Sequence, residues 1–204
     1  SFSDVSGKDW FDLWVDLAYN LRLMEGPGDG TFQPYNTLTV GEALKMAAVL
    51  DSTYSGRRFT SGGDPWYTNA VNYCLTNGII TSSTFKSYTR PITRAELALV
   101  LAATAPVRNA DDINDSSRVA SSIPDVSSGD FAASSIYAMY SKGIVSGSDK
   151  QLTYRPDAVI TRSEVAAMVA RIARPEQRII LWPSSDSSTY YHAAGTQFSA
   201  ASTS

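Results

Sequence analysis

A four-residue pattern, Thr-x-x-Glu, occurs three times in this chain, each time heading the same apolar spacing. The copies are Thr39-Val40-Gly41-Glu42, Thr93-Arg94-Ala95-Glu96 and Thr161-Arg162-Ser163-Glu164. Ala43, Met46, Ala47 and Leu50 follow the first; Leu97, Val100 and Leu101 the second; Val165, Met168, Val169 and Ile172 the third. That i, i+3, i+4, i+7 spacing is one face of an α-helix. A threonine at the N-cap accepts a hydrogen bond from the first turn, and a glutamate three residues on reaches back to the cap's own N–H. The pattern predicts three capped helices, and a chain built by repetition.

A second helix precedes each tetrad. Trp10, Leu13, Trp14, Leu17, Ala18 and Leu21 form a helical stripe in the first copy; Trp66, Ala70, Tyr73 and Cys74 form a weaker one in the second. In the third, Phe131, Ile136, Ala138 and Met139 are apolar, with Ser134 and Ser135 interrupting. The opening aromatic stands 29, 27 and 30 residues before the tetrad threonine, a spread that loop length explains. Between the helices, Gly28-Asp29-Gly30-Thr31-Phe32-Gln33-Pro34 and Gly147-Ser148-Asp149-Lys150-Gln151-Leu152-Thr153-Tyr154-Arg155-Pro156 each read as a turn entering an extended stretch. The second copy, Ser82 to Pro91, lacks the glycines. Units of about 50 residues bury too little surface to stand alone, so the three are expected to share one core.

The capping reading leaves Arg94 and Arg162 unexplained, because a cation in the first helical turn opposes the helix dipole by roughly a few tenths of a kcal/mol. Bulk properties narrow the function classes. The net charge of −3 gives no basic field for nucleic acid. One cysteine, Cys74, and one histidine, His192, exclude an internal disulfide and the usual Cys/His metal sites. No apolar run reaches the roughly 18–20 residues of a membrane span. Asp111-Asp112-Ile113-Asn114-Asp115 lacks the glycine and closing glutamate of a calcium loop, and reads as a solvated acidic linker.

The ordered series resembles the S-layer homology family. Its Phe-x-Asp-Val opening is matched by Phe2-Ser3-Asp4-Val5 and approximated by Ile123-Pro124-Asp125-Val126. The helix exit is matched by Gly78-Ile79-Ile80 and Gly143-Ile144-Val145-Ser146-Gly147, and its Ile-Thr-Arg-Ala-Glu motif by residues 92–96 and 160–164. The resemblance covers residues 2–173 and implies a mainly α fold: three helix-loop-helix repeats in a pseudo-threefold, three-pronged spindle around a central helix bundle. The repeats are expected at 1–54, 55–106 and 123–175, with a linker at 107–122. A C-terminal extension, 176–204, is read as an apolar docked strand or coil leading into a polar tail that is expected to be disordered.

The resemblance further implies a non-enzymatic anchor with no cofactor and no metal, located extracellularly at the bacterial cell wall or S-layer. It would bind an anionic secondary cell-wall polysaccharide, often pyruvylated on its terminal sugar, in grooves between repeats, without nucleic acid or membrane insertion. Neighbouring S-layer subunits are possible further partners. A pyruvate ketal is a carboxylate, and a helix N-terminus bearing a guanidinium is an anion site, which gives Arg94 and Arg162 a role. Trp10 and Trp66 would stack on a sugar face or pack in the core. Asp4 and Asp125 would accept sugar hydroxyls or fix turns. Gly28, Gly30 and Gly147 would shape turns and let a sugar approach the backbone. The arginines' rival role is a salt bridge between repeats. Val40 stands where an arginine is expected, so a groove built on the first tetrad should bind poorly. A surface protein–protein assembly module and a wall-glycan hydrolase are the alternative functions.

Overall fold

The computed structural model describes residues 2–183, so His192 and the rest of the polar tail lie outside it. The described residues hold eight α-helices and no strand: α1 Asp12–Asn20, α2 Val40–Ser55, α3 Thr68–Thr76, α4 Arg94–Ala102, α5 Ala105–Arg108, α6 Ser116–Ser122, α7 Ala133–Ser141 and α8 Arg162–Ala173. The mainly α class therefore stands. A 3-10 turn, Pro175–Gln177, follows α8.

The tetrads cap α2, α4 and α8 as their sequence dictates. Thr39, Thr93 and Thr161 accept from the N–H groups of Glu42, Glu96 and Glu164 at 3.2, 3.2 and 3.4 Å. Each glutamate returns a carboxylate oxygen to the threonine N–H at 2.8, 2.9 and 2.9 Å. Each box contributes about 1 kcal/mol.

The two helical N–H groups between cap and glutamate find carbonyls in another repeat. Val40 and Gly41 donate to Arg90 and Tyr88 at 3.0 and 2.7 Å; Arg94 and Ala95 to Ala158 and Pro156 at 2.8 and 2.9 Å; Arg162 and Ser163 to Asn36 and Pro34 at 2.9 and 3.0 Å. Repeat 1 thus donates to repeat 2, repeat 2 to repeat 3, and repeat 3 back to repeat 1. Isolated antiparallel bridges pair Thr39 with Pro91, Thr93 with Val159 and Thr37 with Thr161. Helix packing follows the same cycle: α2 lies on α3, α4 on α7 and α8 on α1. No repeat completes its own helix N-termini; each depends on another for two backbone acceptors.

The core runs through this ring. Leu44, Leu50, Ile92, Leu97, Leu101, Tyr140 and Tyr154 are fully enclosed, and α8 is buried along nearly its whole circumference. Val40 is 0% exposed, so the residue replacing the arginine is a core residue. Asp51 ties repeat 1 to repeat 2: its carboxylate accepts from the Tyr73 hydroxyl at 2.7 Å, the Arg57 guanidinium at 3.1 Å and the Ala105 N–H at 2.7 Å.

Two sequence expectations need correction. The stripe assigned to α1 begins on the wrong face: Phe11, Val15 and Ala18 are buried, while Trp10 and Leu13 are 60% and 53% exposed. This helix carries two apolar stripes, and periodicity cannot say which one meets α8. The linker expected at 107–122 also holds regular structure, and its acidic run at 111–115, read as solvated, includes the buried Asn114. The linker contains α6, capped by Asp115, whose carboxylate accepts the Arg118 N–H at 2.6 Å, and Val119 is buried. Asn114 in this stretch donates to the Ile179 carbonyl and accepts from Leu181 N–H, docking the segment after α8.

Candidate functional site

A cleft of about 600 Å³ opens where the three repeats meet around the first loop. Repeat 1 lines it with residues of the glycine loop and of α2, repeat 2 with Phe59, Ser61 and Trp66, and repeat 3 with Arg162. Arg162 starts α8, and the cycle of backbone bonds delivers its side chain to the loop of repeat 1. Its Nε donates to the Phe32 carbonyl at 2.9 Å and its Nη2 to the Glu25 carbonyl at 2.6 Å. The guanidinium carbon lies 4.9 Å from the centre of the Phe32 ring. Among the described residues no carboxylate forms a salt bridge with it. Burial pushes its pKa below the usual arginine value, opposed by the more distant Glu42 and Asp4 carboxylates. The group stays protonated and incompletely neutralised. Trp66, 48% exposed, presents a ring to the same cleft.

Arg94 occupies the same register in α4 and ends differently. Its Nε donates to the Tyr154 carbonyl at 2.7 Å, as Arg162 does to Phe32, but its Nη1 meets Glu164 Oε1 at 3.0 Å. Its side chain is 7% exposed. Here the inter-repeat salt bridge weighed against ligand binding is what the structure contains.

The helix N-terminus contributes little to either site. The N–H groups of Arg94, Ala95 and Glu96, and of Arg162, Ser163 and Glu164, already have carbonyl or hydroxyl partners. The expectation of a helix-end anion site is corrected accordingly: these N–H groups are already engaged, and Arg162 has its side chain left to offer the cleft.

The remaining sequence candidates are placed apart from the cleft. Asp4 accepts from Phe32 and Gln33 N–H at 2.7 and 2.8 Å, and Asp125 from Tyr154 and Arg155 N–H at 2.9 and 2.7 Å. Both oxygens of each carboxylate fix a loop, holding Gln33 and Arg155 at φ of 59° and 60°. Gly28 and Gly30 have φ of 96° and 84°, with open space where a Cβ would stand, so backbone conformation explains them. A Cβ on Gly147 would lie 2.7 Å from the Leu152 carbonyl carbon, which makes close packing its reason. None of these five residues lines the cleft; nor does Trp10, though it is exposed like Trp66 and Phe131, the aromatics opening the other two repeats.

Sequence reasoning missed Lys45 and Glu25, paired at 3.9 Å along the cleft, and Glu42, which faces it. It also missed Arg90, which grips Glu96 with Nη1–Oε2 and Nη2–Oε1 distances of 2.9 and 2.7 Å. The signal for Arg90 was an arginine three residues before the tetrad threonine, in the only repeat entered from a tetrad lacking one.

The family model of the S-layer homology domain matches residues 1–44 and 122–166. An amylopullulanase of Thermoanaerobacterium thermosulfurigenes is 27% identical over 177 residues, covering 83% of this chain and 9% of the relative. The chain thus spans less than a tenth of that relative's length. Capping tetrads and helix pairs recur three times along the chain, and the S-layer homology domain model matches the first and third recurrences, so the chain is similar to that family over those two segments.

Proposed function

We propose that this chain holds a bacterial surface protein on the cell wall by binding secondary cell-wall polysaccharide, with the Arg162 cleft as its principal groove. S-layer homology domains are non-catalytic modules that anchor surface proteins at the cell wall. The finer reading is that a pyruvate ketal on the terminal sugar lies against the Arg162 guanidinium while Trp66 covers a pyranose face. One observation carries it: Arg162 is a partly buried guanidinium without a carboxylate partner among the described residues, in a cleft large enough for a sugar. Burying an uncompensated charge is costly, and an anionic ligand removes that penalty. The relative's name describes an enzyme, but the alignment reaches only 9% of it, and we assign this chain no catalytic step.

Calorimetric titration with purified wall polysaccharide, native and depyruvylated, tests the reading. Native polymer should bind the unmodified chain, and both depyruvylation and Arg162→Met should weaken binding at least tenfold. Equal affinity for the two polymers would remove the anion argument. Retention of a partner protein after complete removal of the polysaccharide would favour the assembly reading instead.

A further inference from the structure

The three tetrad glutamates share one capping role and differ in what their second oxygen meets. Glu96 receives both ends of Arg90, and Glu164 receives Arg94. Glu42 gives Oε2 to the Thr39 N–H at 2.8 Å and has no partner for Oε1 among the described residues. By position in the cycle, Arg162 stands to Glu42 as Arg94 stands to Glu164. Arg162 is turned instead onto the carbonyls of Phe32 and Glu25, so that ion pair is open. The opened guanidinium and the opened carboxylate line the same cleft.

We propose that Glu42 is a specificity-determining residue of this cleft: its Oε1 accepts a hydrogen bond from a hydroxyl or N–H of the bound sugar while Arg162 holds the sugar's acid group. The inference rests on the glycan reading of the cleft and deepens it. A site with an unpaired cation and an unpaired acceptor selects an acid with a donor group beside it. It discriminates against an anion without that donor, because the carboxylate of Glu42 is then left near a like charge. The same arrangement explains why the cleft does not close on itself: Arg162 is fixed by two backbone carbonyls and Glu42 by its cap.

Glu42→Gln isolates this role, since glutamine also completes a capping box. Only its oxygen can accept from the Thr39 N–H, so the atom turned to the cleft becomes an NH₂ donor. The probes are the methyl glycoside of a hexose bearing a pyruvate ketal with its remaining ring hydroxyls free and the same glycoside with those hydroxyls O-methylated, each titrated by calorimetry. Glu42→Gln should weaken binding of the free glycoside about tenfold or more while leaving the methylated one unchanged, with the melting temperature preserved. Unchanged or tighter binding of the free glycoside by the variant would overturn the role of Glu42. If Arg162→Met abolishes binding in that case, the cleft reading survives and only this inference fails. If neither glycoside binds the unmodified chain, or Arg162→Met binds as tightly as it does, the cleft reading falls and this inference with it.

Discussion

The N–H of Val40 donates to the carbonyl of Arg90 at 3.0 Å, so the tetrad position that lacks a guanidinium is backbone-paired with a residue that has one. Arg90 then lies with its guanidinium carbon 5.9 Å from the Phe85 ring centre. Arg94 and Arg162 lie 5.0 and 4.9 Å from the rings of Tyr154 and Phe32. Each loop aromatic is therefore faced by a guanidinium. Two are delivered by the preceding repeat, and the third by the loop's own repeat. This leaves Val40 free to be a core residue.

The pairing predicts an acid-dependent effect of Arg90→Ala. Burial of the Glu96 carboxyl pushes its pKa up, but the Arg90 hydrogen bonds and the Thr93 N–H outweigh burial and hold it below its ordinary 4.5. A folded-state pKa below the unfolded one stabilises the fold above about pH 4.5, and that contribution is lost as pH falls through the folded value. Arg90→Ala should cost about 1 kcal/mol at pH 7, a modest figure because the Arg90 side chain is 41% exposed. Urea denaturation from pH 7 to pH 3 should show the gap between the two proteins narrowing in acid. A gap that widens in acid rejects the assignment.

Arg94→Met is expected to act on stability. It removes the donor to the Tyr154 carbonyl and leaves Glu164 without its cross-repeat partner. The loss should be about 2–4 kcal/mol, held below the full buried-pair value because the Glu164 side chain is 35% exposed. A double-mutant cycle with Glu164→Gln measures the pair itself, and a coupling energy near zero would show that the two side chains do not interact in solution.

The parts legible in the sequence were those fixed within a few residues. Thr39 and Glu42 sit in one helical turn, and local physics alone dictates their bonds. The Gly28 and Gly30 turns were legible for the same reason. The cycle was not legible, because Arg162 and Phe32 are brought together by helix donors seeking carbonyls more than a hundred residues away. The two arginines of the motif looked equivalent because identical local sequence precedes them. Their difference comes from what the receiving loop offers: Glu164 for Arg94, and the Glu25 carbonyl for Arg162. Trp10 was read as opening an apolar stripe, either packed in the core or stacked on a sugar, because α1 has apolar residues on two faces, and only the position of α8 decides between them.

Asp4 and Asp125 should prove to be loop supports. Asp125→Asn keeps the volume but has one acceptor oxygen, so an NH₂ group must face one of the two N–H donors it replaces. Asn and Ala at this position are therefore predicted to destabilise by similar amounts, about 2 kcal/mol each, with faster amide exchange at Tyr154 and Arg155. The same comparison at Asp4 should read out at Phe32 and Gln33. Full retention of stability by either asparagine variant would show that its carboxylate is not holding the loop.

Arg162→Lys provides the sharpest test of why arginine stands in the cleft. The guanidinium meets the Phe32 carbonyl with Nε and the Glu25 carbonyl with Nη2, which leaves Nη1 and one Nη2 hydrogen for a ligand. A lysine carries the same charge on one nitrogen with three donors and no planar fork. It can satisfy the carbonyls or face the cleft, but cannot hold a fixed geometry toward both. Arg162→Lys is therefore expected to lose nearly as much affinity for the pyruvylated polysaccharide as Arg162→Met, with both at least tenfold weaker than the unmodified chain. If charge alone governs recognition, Arg162→Lys will instead bind close to the original affinity and show the same dependence on salt concentration.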